Sequence, residues 1–437
     1  MKKSNFWALL PILVFLVLFI GIGVITDDFY AMPTTVGFII ALIVAFFQNK
    51  KLKFDEKVSI AAKGAGSENI MIMCLVFLLA GAFSGAVSAA GGATSAANFG
   101  LSILPTNIAV VGIFLIACFI SISMGTSVGT ITALTPIAVE ISNTTSIPMA
   151  ICVAAVISGS MFGDNLSMIS DTTIAATRTQ GCKMDDKFKE NFRIVLPAAI
   201  LTIAIFFIVT FGANYQVSGE LSYDFIRILP YLLVLITALC GVNVFIVLSL
   251  GTVLSILVGL YYGDFTLLQT FSVVGAGMES MFEITVISLT VGAVFGLIKE
   301  NGGIEFIINF IKGRVKSKKG AELGIAAIAG LVDVSTANNT VAIVIAGPIA
   351  KEIAEEFDVS PKRSASLLDI FSSIFQGIIP YGAQVLTAAK LAGISPLEPL
   401  PYMFYPMLMA ISALCFIFFV KDKKTDAECE IIPCEEK

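Results

Sequence analysis

The sequence predicts an all-α polytopic membrane protein. It is built from two inverted-topology repeats, each with a re-entrant hairpin and a broken transmembrane helix. Three observations predict this. Hydrophobic residues make up 57% of the 437-residue chain and charged residues only 14%, whereas a soluble domain carries about 25% charged residues. The chain repeats itself once. Lysines and arginines crowd some loops and avoid others, in an order that reverses between the two copies.

The apolar residues come in runs long enough to cross about 30 Å of hydrocarbon. Residues 6–24, 70–90, 194–211 and 403–420 are the clearest. The first run is too long for the apolar core of a signal peptide and no A-x-A site follows it, so it reads as the first membrane helix.

The repeat is explicit. Residues 68–92 read ENIMIMCLVFLLAGAFSGAVSAAGG, and residues 279–303 read ESMFEITVISLTVGAVFGLIKENGG. From 64 to 92, ten of twenty-nine positions are identical to 275–303 at an offset of 211. TPIAVEI (135–141) falls on GPIAKEI (347–353). Repeated halves in a hydrophobic chain mark secondary transporters. The halves are 1–213 and 225–420, followed by a charged cytoplasmic tail, 421–437.

Charge gives the topology. Lysine and arginine cluster at 2–3, 50–63, 183–193, 312–319, 351–363 and 421–424, and are missing from 26–33, 91–105, 141–147, 212–224 and 263–277. The positive-inside rule places the first set in the cytoplasm. Crossings then fall at 6–24, 35–47 and 69–90, followed by a hairpin within 106–141. A helix over 148–181, broken near Gly163, and a crossing at 194–211 complete the first half. Five crossings start the second half on the opposite side. Its crossings lie at 226–239, 244–261 and 280–298, its hairpin at 322–352, its broken helix at 362–391 and its last crossing at 403–420. Both termini are cytoplasmic, and the setting is the cytoplasmic membrane of a prokaryote.

Polar residues inside such segments are expensive in hydrocarbon and concentrate at four places. The hairpin tips are SMGTSVGTIT, with Ser123, Thr126 and Ser127, and DVSTANNT, with Asp333, Ser335, Thr336, Asn338 and Asn339. The broken helices carry GDNLSMISDTT and QGIIPYGAQ, the latter with Gln376, Tyr381 and Gln384. A broken helix exposes carbonyls that coordinate cations and N–H groups that favour anions. GDNLSMISDTT is the densest. Asp164 and Asp171 are seven residues apart, on one face of a continuous helix; Asn165, Ser167, Ser170, Thr172 and Thr173 add oxygens. This is a ligand set for a hard cation such as Na⁺, and its carboxylates bind H⁺ in competition. The halves are not equivalent: Asp171 falls on Gln384 and Ser121 on Asp333. Glu68 and Glu279 match each other as first-turn acids, favourable to the helix dipole, and Glu283 lies one turn later.

The composition also excludes. The chain has no histidine, so proton coupling rests on carboxylates or lysine. There is no phosphate-binding Gly-Lys motif for ATP-driven transport, no nucleophile–base set for an enzyme, and no nucleic-acid signature. The cysteines form no disulfide framework. No cofactor is expected beyond Na⁺ as coupling ion.

FGDNLSMISDTT resembles the signature of NhaC-type Na⁺/H⁺ antiporters, in which a GD…S…SDTT segment recurs. GGI (302–304) and STANNT (335–340) extend the resemblance over most of the chain. Asp164, Ser167, Ser170, Asp171 and Thr172 are the matched positions; Asn165 stands where the family pattern often carries lysine or another residue. The resemblance implies the ion transporter superfamily, with inverted repeats and hairpins. The family also has members that exchange malate for lactate or move amino acids with Na⁺. Two functions follow: Na⁺/H⁺ antiport, or Na⁺-coupled transport of an amino acid or small organic acid. The expected partners are Na⁺, H⁺, a small organic anion or amino acid in the second case, the bilayer, and a second copy in a homodimer.

Overall fold

The computed structural model describes residues 4–26, 32–103, 108–168, 170–211, 221–240 and 242–422. Lys2, Lys3, segment 212–220 and the tail beyond Asp422 lie outside the described residues, as does the side chain of Ser123. Among the described residues every regular element is helical.

The first half opens with α1 (Leu10–Thr26), α2 (Thr34–Phe47), α3 (Phe54–Ala65) and α4 (Glu68–Ala89). Next come α5 (Gly92–Ile103), α6 (Ala109–Met124), α7 (Ser127–Thr145), α8 (Met149–Leu166), α9 (Asp171–Gln180) and α10 (Met184–Phe211). The second half repeats the order. It runs through α11 (Phe225–Leu239), α12 (Val244–Tyr262), α13 (Leu267–Ser280), α14 (Phe282–Glu300) and α15 (Gly303–Lys312). It ends with α16 (Lys318–Thr336), α17 (Asn339–Glu356), α18 (Pro361–Gln376), α19 (Ala383–Ala392) and α20 (Phe404–Phe419).

The matched ends are set by the same local chemistry. α6 stops at Gly125 in the left-handed region, and Thr126 caps α7 by accepting from Gly129 N. α16 stops at Ala337, also left-handed, and Asn338 caps α17 by accepting from Val341 N. Both events are displaced by 212 residues (337 − 125; 338 − 126). The second arms carry Pro136 and Pro348 at the same displacement (348 − 136 = 212). α9 and α19 both end at left-handed glycines, Gly181 and Gly393 (393 − 181 = 212). Counted back from these glycines, Asp171 aligns with Ala383, and Gln384 with Thr172.

Two stretches that read as loops free of lysine and arginine are largely helical. Residues 91–105 hold α5, and 263–277 hold most of α13. Absence of lysine and arginine says nothing about helicity, and α13 carries its start signal in Thr266 and Gln269, a reciprocal capping box. Glu279 accordingly lies near the end of α13, and the first-turn acid of α14 is Glu283. Glu283 is paired with Lys390 at 2.7 Å and is half exposed.

The halves clasp each other reciprocally. α4 packs on α13, and α14 packs on α3. A Cβ added at Gly81 would lie 2.3 Å from Gly277 O, and one added at Gly64 would lie 2.3 Å from Gly292 O. Gly81/Gly85 and Gly292/Gly296 are small-x₃-small pairs at the repeat offset of 211, and they let backbones approach as membrane helices do.

Large apolar side chains face outward across the bundle: Ile25, Phe119, Ile208, Ile236, Tyr261, Leu268, Phe271 and Phe419 are all exposed. A soluble monomer does not tolerate that much exposed apolar surface. Five helical stretches among the described residues are long and apolar enough to cross a membrane. α8, by contrast, is buried from Ile151 through Leu166 and forms the centre of the bundle, with α18 buried from Arg363 to Ile374. Lys57 of the amphipathic α3 folds inward, donating to the carbonyls of Phe46 and Gln48 at 2.8 and 2.6 Å. It thereby satisfies the open end of α2. Near the lysine-poor loops, both isolated cations are neutralised: Arg227 is bidentate on Asp264, and Lys390 meets Glu283.

Candidate functional site

The two breaks and the two hairpin turns meet. A cavity of about 130 Å³ is lined by Thr126, Ser127, Asp164, Ser170, Asp171 and Thr172 from the first half. Asn338, Asn339, Thr340, Gln376 and Gln384 line it from the second. Four helices, α7, α9, α17 and α19, begin at its wall, and the first-turn N–H groups of a helix have no partner in its own backbone ladder.

Asp164 is the buried acid of the cavity. Ser170 Oγ donates to its Oδ1 at 2.5 Å, and Ser127 Oγ donates to its Oδ2 at 3.0 Å. Ser170 Oγ and Thr172 Oγ1 lie 2.9 Å apart. Asp171 opens α9 and is exposed to the cavity. The break that separates them is not at Gly163. α8 runs on through Leu166, and the chain is extended at Ser167 and Ser170. A Cβ at Gly163 would strike Ser121 Cβ at 2.3 Å, so this glycine serves the close approach of α6. Asp164 and Asp171 therefore do not share a helix face; they share a cavity because the break folds them into it.

A hydrogen-bonded chain runs from Asp164 into the second half. Gln384 Nε2 donates to Ser127 Oγ at 3.1 Å, and Gln376 Nε2 donates to Gln384 Oε1 at 2.8 Å. Gln376 Nε2 also donates to Ala337 O at 3.1 Å, and Ala337 N donates to Asp333 O at 2.7 Å.

Other predicted residues lie off the cavity. The Asn165 amide donates to Ser373 Oγ at 2.9 Å, and Tyr405 OH donates to Asn165 Oδ1 at 3.3 Å. Thr173 Oγ1 accepts from Lys187 at 2.7 Å. Ser167 ends α8, its N–H donating to Gly163 O. Ser335 Oγ donates within its own helix to Leu331 O. Thr336 and Tyr381 line a smaller void of about 10 Å³ with Ala337 and Asn338. Asp333 is fully buried, and neither carboxyl oxygen has a hydrogen-bond partner.

Sequence reasoning placed Lys187 in a cytoplasmic loop and passed over Asp369 and Arg363. Lys187 is buried in α10, and its Nζ lies 2.7 Å from Asp369 Oδ2. The same ammonium donates to Asn165 O at 3.1 Å and to Thr173 Oγ1, one on each side of the α8–α9 break. Asn191 Nδ2 adds bonds to Asn165 O and Asp369 Oδ2 at 2.9 and 2.8 Å. Arg363, also buried, reaches Glu190 at 3.1 Å and Glu322 at 3.4 Å and stacks on Phe416. The signal was periodicity: Lys187, Glu190, Asn191, Ile194, Val195 and Ala198 form one buried face of α10.

This arrangement is that of a multi-pass membrane transporter with its polar centre in two broken helices. The chain belongs to the Na⁺/H⁺ antiporter family, whose profile matches residues 2–213 and 226–421. Among curated proteins, it is 19% identical over 465 residues to the malate-2H⁺/Na⁺-lactate antiporter of Bacillus subtilis (strain 168), covering 98% of this chain and 99% of that one. It is 23% identical over 354 residues to the Na⁺/H⁺ antiporter NhaC of Alkalihalophilus pseudofirmus, covering 73% and 75%. It is 21% identical over 352 residues to the arginine/ornithine antiporter ArcD of Halobacterium salinarum, covering 72% and 73%.

Proposed function

We propose that the protein is a Na⁺/H⁺ antiporter of the prokaryotic cytoplasmic membrane, with Asp164 as the exchange carboxylate. The observation that carries this is the placing of Asp164: a buried acid, held by Ser127 and Ser170, on a cavity built by both halves. Hydroxyl, amide and carboxylate oxygens suit Na⁺. Protonation of Asp164 removes the charge that holds Na⁺, so one ion displaces the other. The halves are inverted, with α6–α7 and α16–α17 as re-entrant hairpins and both termini in the cytoplasm. Purified protein in liposomes should acidify or alkalinise the lumen when a Na⁺ gradient is imposed, with no organic molecule present. No Na⁺-driven pH change, together with Na⁺-driven uptake of an organic acid, would reverse the assignment.

Topology is tested by cysteine labelling at exposed positions. Lys51, Lys189 and Lys316 belong to one side; Ser102 and Gln269 belong to the other. Lys187 and Asn98 are buried and report nothing. Labelling of Lys316 and Ser102 from the same side is incompatible with inverted halves.

A second reading has its own observation. Four helix N-termini on one cavity favour an anionic guest. In that reading Asn338, Asn339 and Thr340 hold a carboxylate that travels with Na⁺, and Asn338→Ala weakens substrate more than Na⁺.

A further inference from the structure

We propose that the oxygens around Lys187 form a cation site beside the α8–α9 break, filled by the protein's own ammonium group in place of a free Na⁺. This does not rest on the antiport reading, because it concerns what holds the break and not what crosses the membrane.

Lys187 is buried, and its Nζ has three acceptors: Asp369 Oδ2 at 2.7 Å, Thr173 Oγ1 at 2.7 Å and Asn165 O at 3.1 Å. An ammonium has three N–H groups, so all of them are used. Carboxylate, hydroxyl and backbone carbonyl oxygens are also the ligands of a hard cation. They lie where a broken membrane helix gathers such a set. Asn165 is in the last turn of α8, whose end presents free carbonyls and the negative pole of the helix. Thr173 is in the first turn of α9, on the other flank. The C-terminal ends of half-helices are the places that coordinate Na⁺ in transporters built this way.

Two features set the cluster apart from an ordinary buried ion pair. The ammonium meets only Oδ2 of Asp369, and Oδ1 is buried with no donor. A metal ion can take both oxygens of a carboxylate; the lysine leaves one unused. Asn191 Nδ2 donates to Asn165 O and Asp369 Oδ2 at 2.9 and 2.8 Å. It ties two of the three ligands together without Lys187, so the cage keeps its shape when the ammonium is withdrawn. At the repeat displacement of the two breaks, the matched position in the second half is Pro399 (187 + 212 = 399). The built-in cation is thus a device of the first half.

A free ion here would make the order of the break depend on the Na⁺ supply. A tethered ammonium makes it constant. Asp164 directly precedes Asn165, so an ion arriving at Asp164 meets a break that is already formed.

The test removes the tether and asks whether Na⁺ takes its place. Asp164→Asn is the background, because it removes the carboxylate of the cavity. With Lys187 present, this protein in detergent should bind no Na⁺ in equilibrium dialysis, and its thermal midpoint should not change when Na⁺ replaces choline at constant ionic strength. Asp164→Asn/Lys187→Ala should start from a lower midpoint, bind one Na⁺ per chain, and rise by several degrees to a plateau as Na⁺ replaces choline. Adding Asp369→Asn should abolish both responses. Lys187→Met, which keeps the apolar stem, is the second variant and should behave as Lys187→Ala does. The proposal is overturned if neither variant gains Na⁺ binding, if the gain survives Asp369→Asn, or if the same response is present with Lys187 in place. Failure of both variants to fold even in high Na⁺ also overturns it, as does rescue by propylammonium but not by Na⁺.

Discussion

Lys187 and Asp369, 182 residues apart in the chain (369 − 187) and on opposite halves, form a buried ion pair of 2.7 Å. The same ammonium bonds both flanks of the α8–α9 break, at Asn165 O and Thr173 Oγ1. The pair therefore fixes the break beside Asp164 against the second half.

Removing one partner should be far worse than removing both. Lys187→Met leaves a buried carboxylate and should cost about 3–5 kcal/mol. The double variant Lys187→Met/Asp369→Leu should regain most of that. Unfolding midpoints in detergent, closed into a double-mutant cycle, give the coupling. Equal losses for single and double variants would show the pair to be uncoupled.

Asp164→Asn should bring Na⁺-driven proton flux to background while the purified protein stays monodisperse. Ser170→Ala removes one donor to the carboxylate, a bond to a charged group worth about 1.5–3 kcal/mol. Na⁺ half-saturation should rise roughly tenfold or more. Wild-type flux in Asp164→Asn would move the exchange chemistry elsewhere.

Gly277→Leu should prevent stable assembly, since Gly81 O occupies the space its Cβ needs. Gly275→Leu, on the same helix with nothing within 4 Å of its Cβ position, should be tolerated. Size-exclusion profiles after membrane extraction separate the two, and equal behaviour would show that the crossing is not close.

Asp422 links the end of α20 to the starts of α16 and α18. Burial by itself would raise its pKa, but Ser360 and Lys318 outweigh burial and hold the carboxyl below its usual range. Ser360 donates from N and Oγ at 2.8 and 2.6 Å, and Lys318 lies 3.0 Å away. A lowered folded pKa gives stability above the unfolded value of about 3.9 that is lost as pH falls through the folded value. Wild type should be more stable than Asp422→Ala at neutral pH, and the two should converge in acid. A constant gap at all pH values would mean that the charge contributes nothing.

The sequence bracketed the two turns within 123–132 and 333–340, because turn chemistry is local: Gly125–Thr126 and Ala337–Asn338 carry their own caps. It misplaced the first break, since a glycine reads alike whether it bends a helix or lets another approach, and Gly163 does the second. It singled out Asp164, whose partner Ser170 is six residues along the chain, while its other partner, Ser127, is thirty-seven residues away. It missed Lys187, Asp369 and Arg363, because charge near a membrane edge reads as solvated until a partner from the other half is known.

The reciprocal glycine contacts have a corollary. α4 meets α13 while α14 meets α3, which is the pairing rule of a twofold interface: patch meets counterpatch, twice. Those contacts are made helix to helix and need no covalent link between α10 and α11. Cut there, the halves keep complementary surfaces and should copurify when expressed together. Two copies held by such a reciprocal contact are free to differ away from it: the first carries Ser121 where the second carries Asp333.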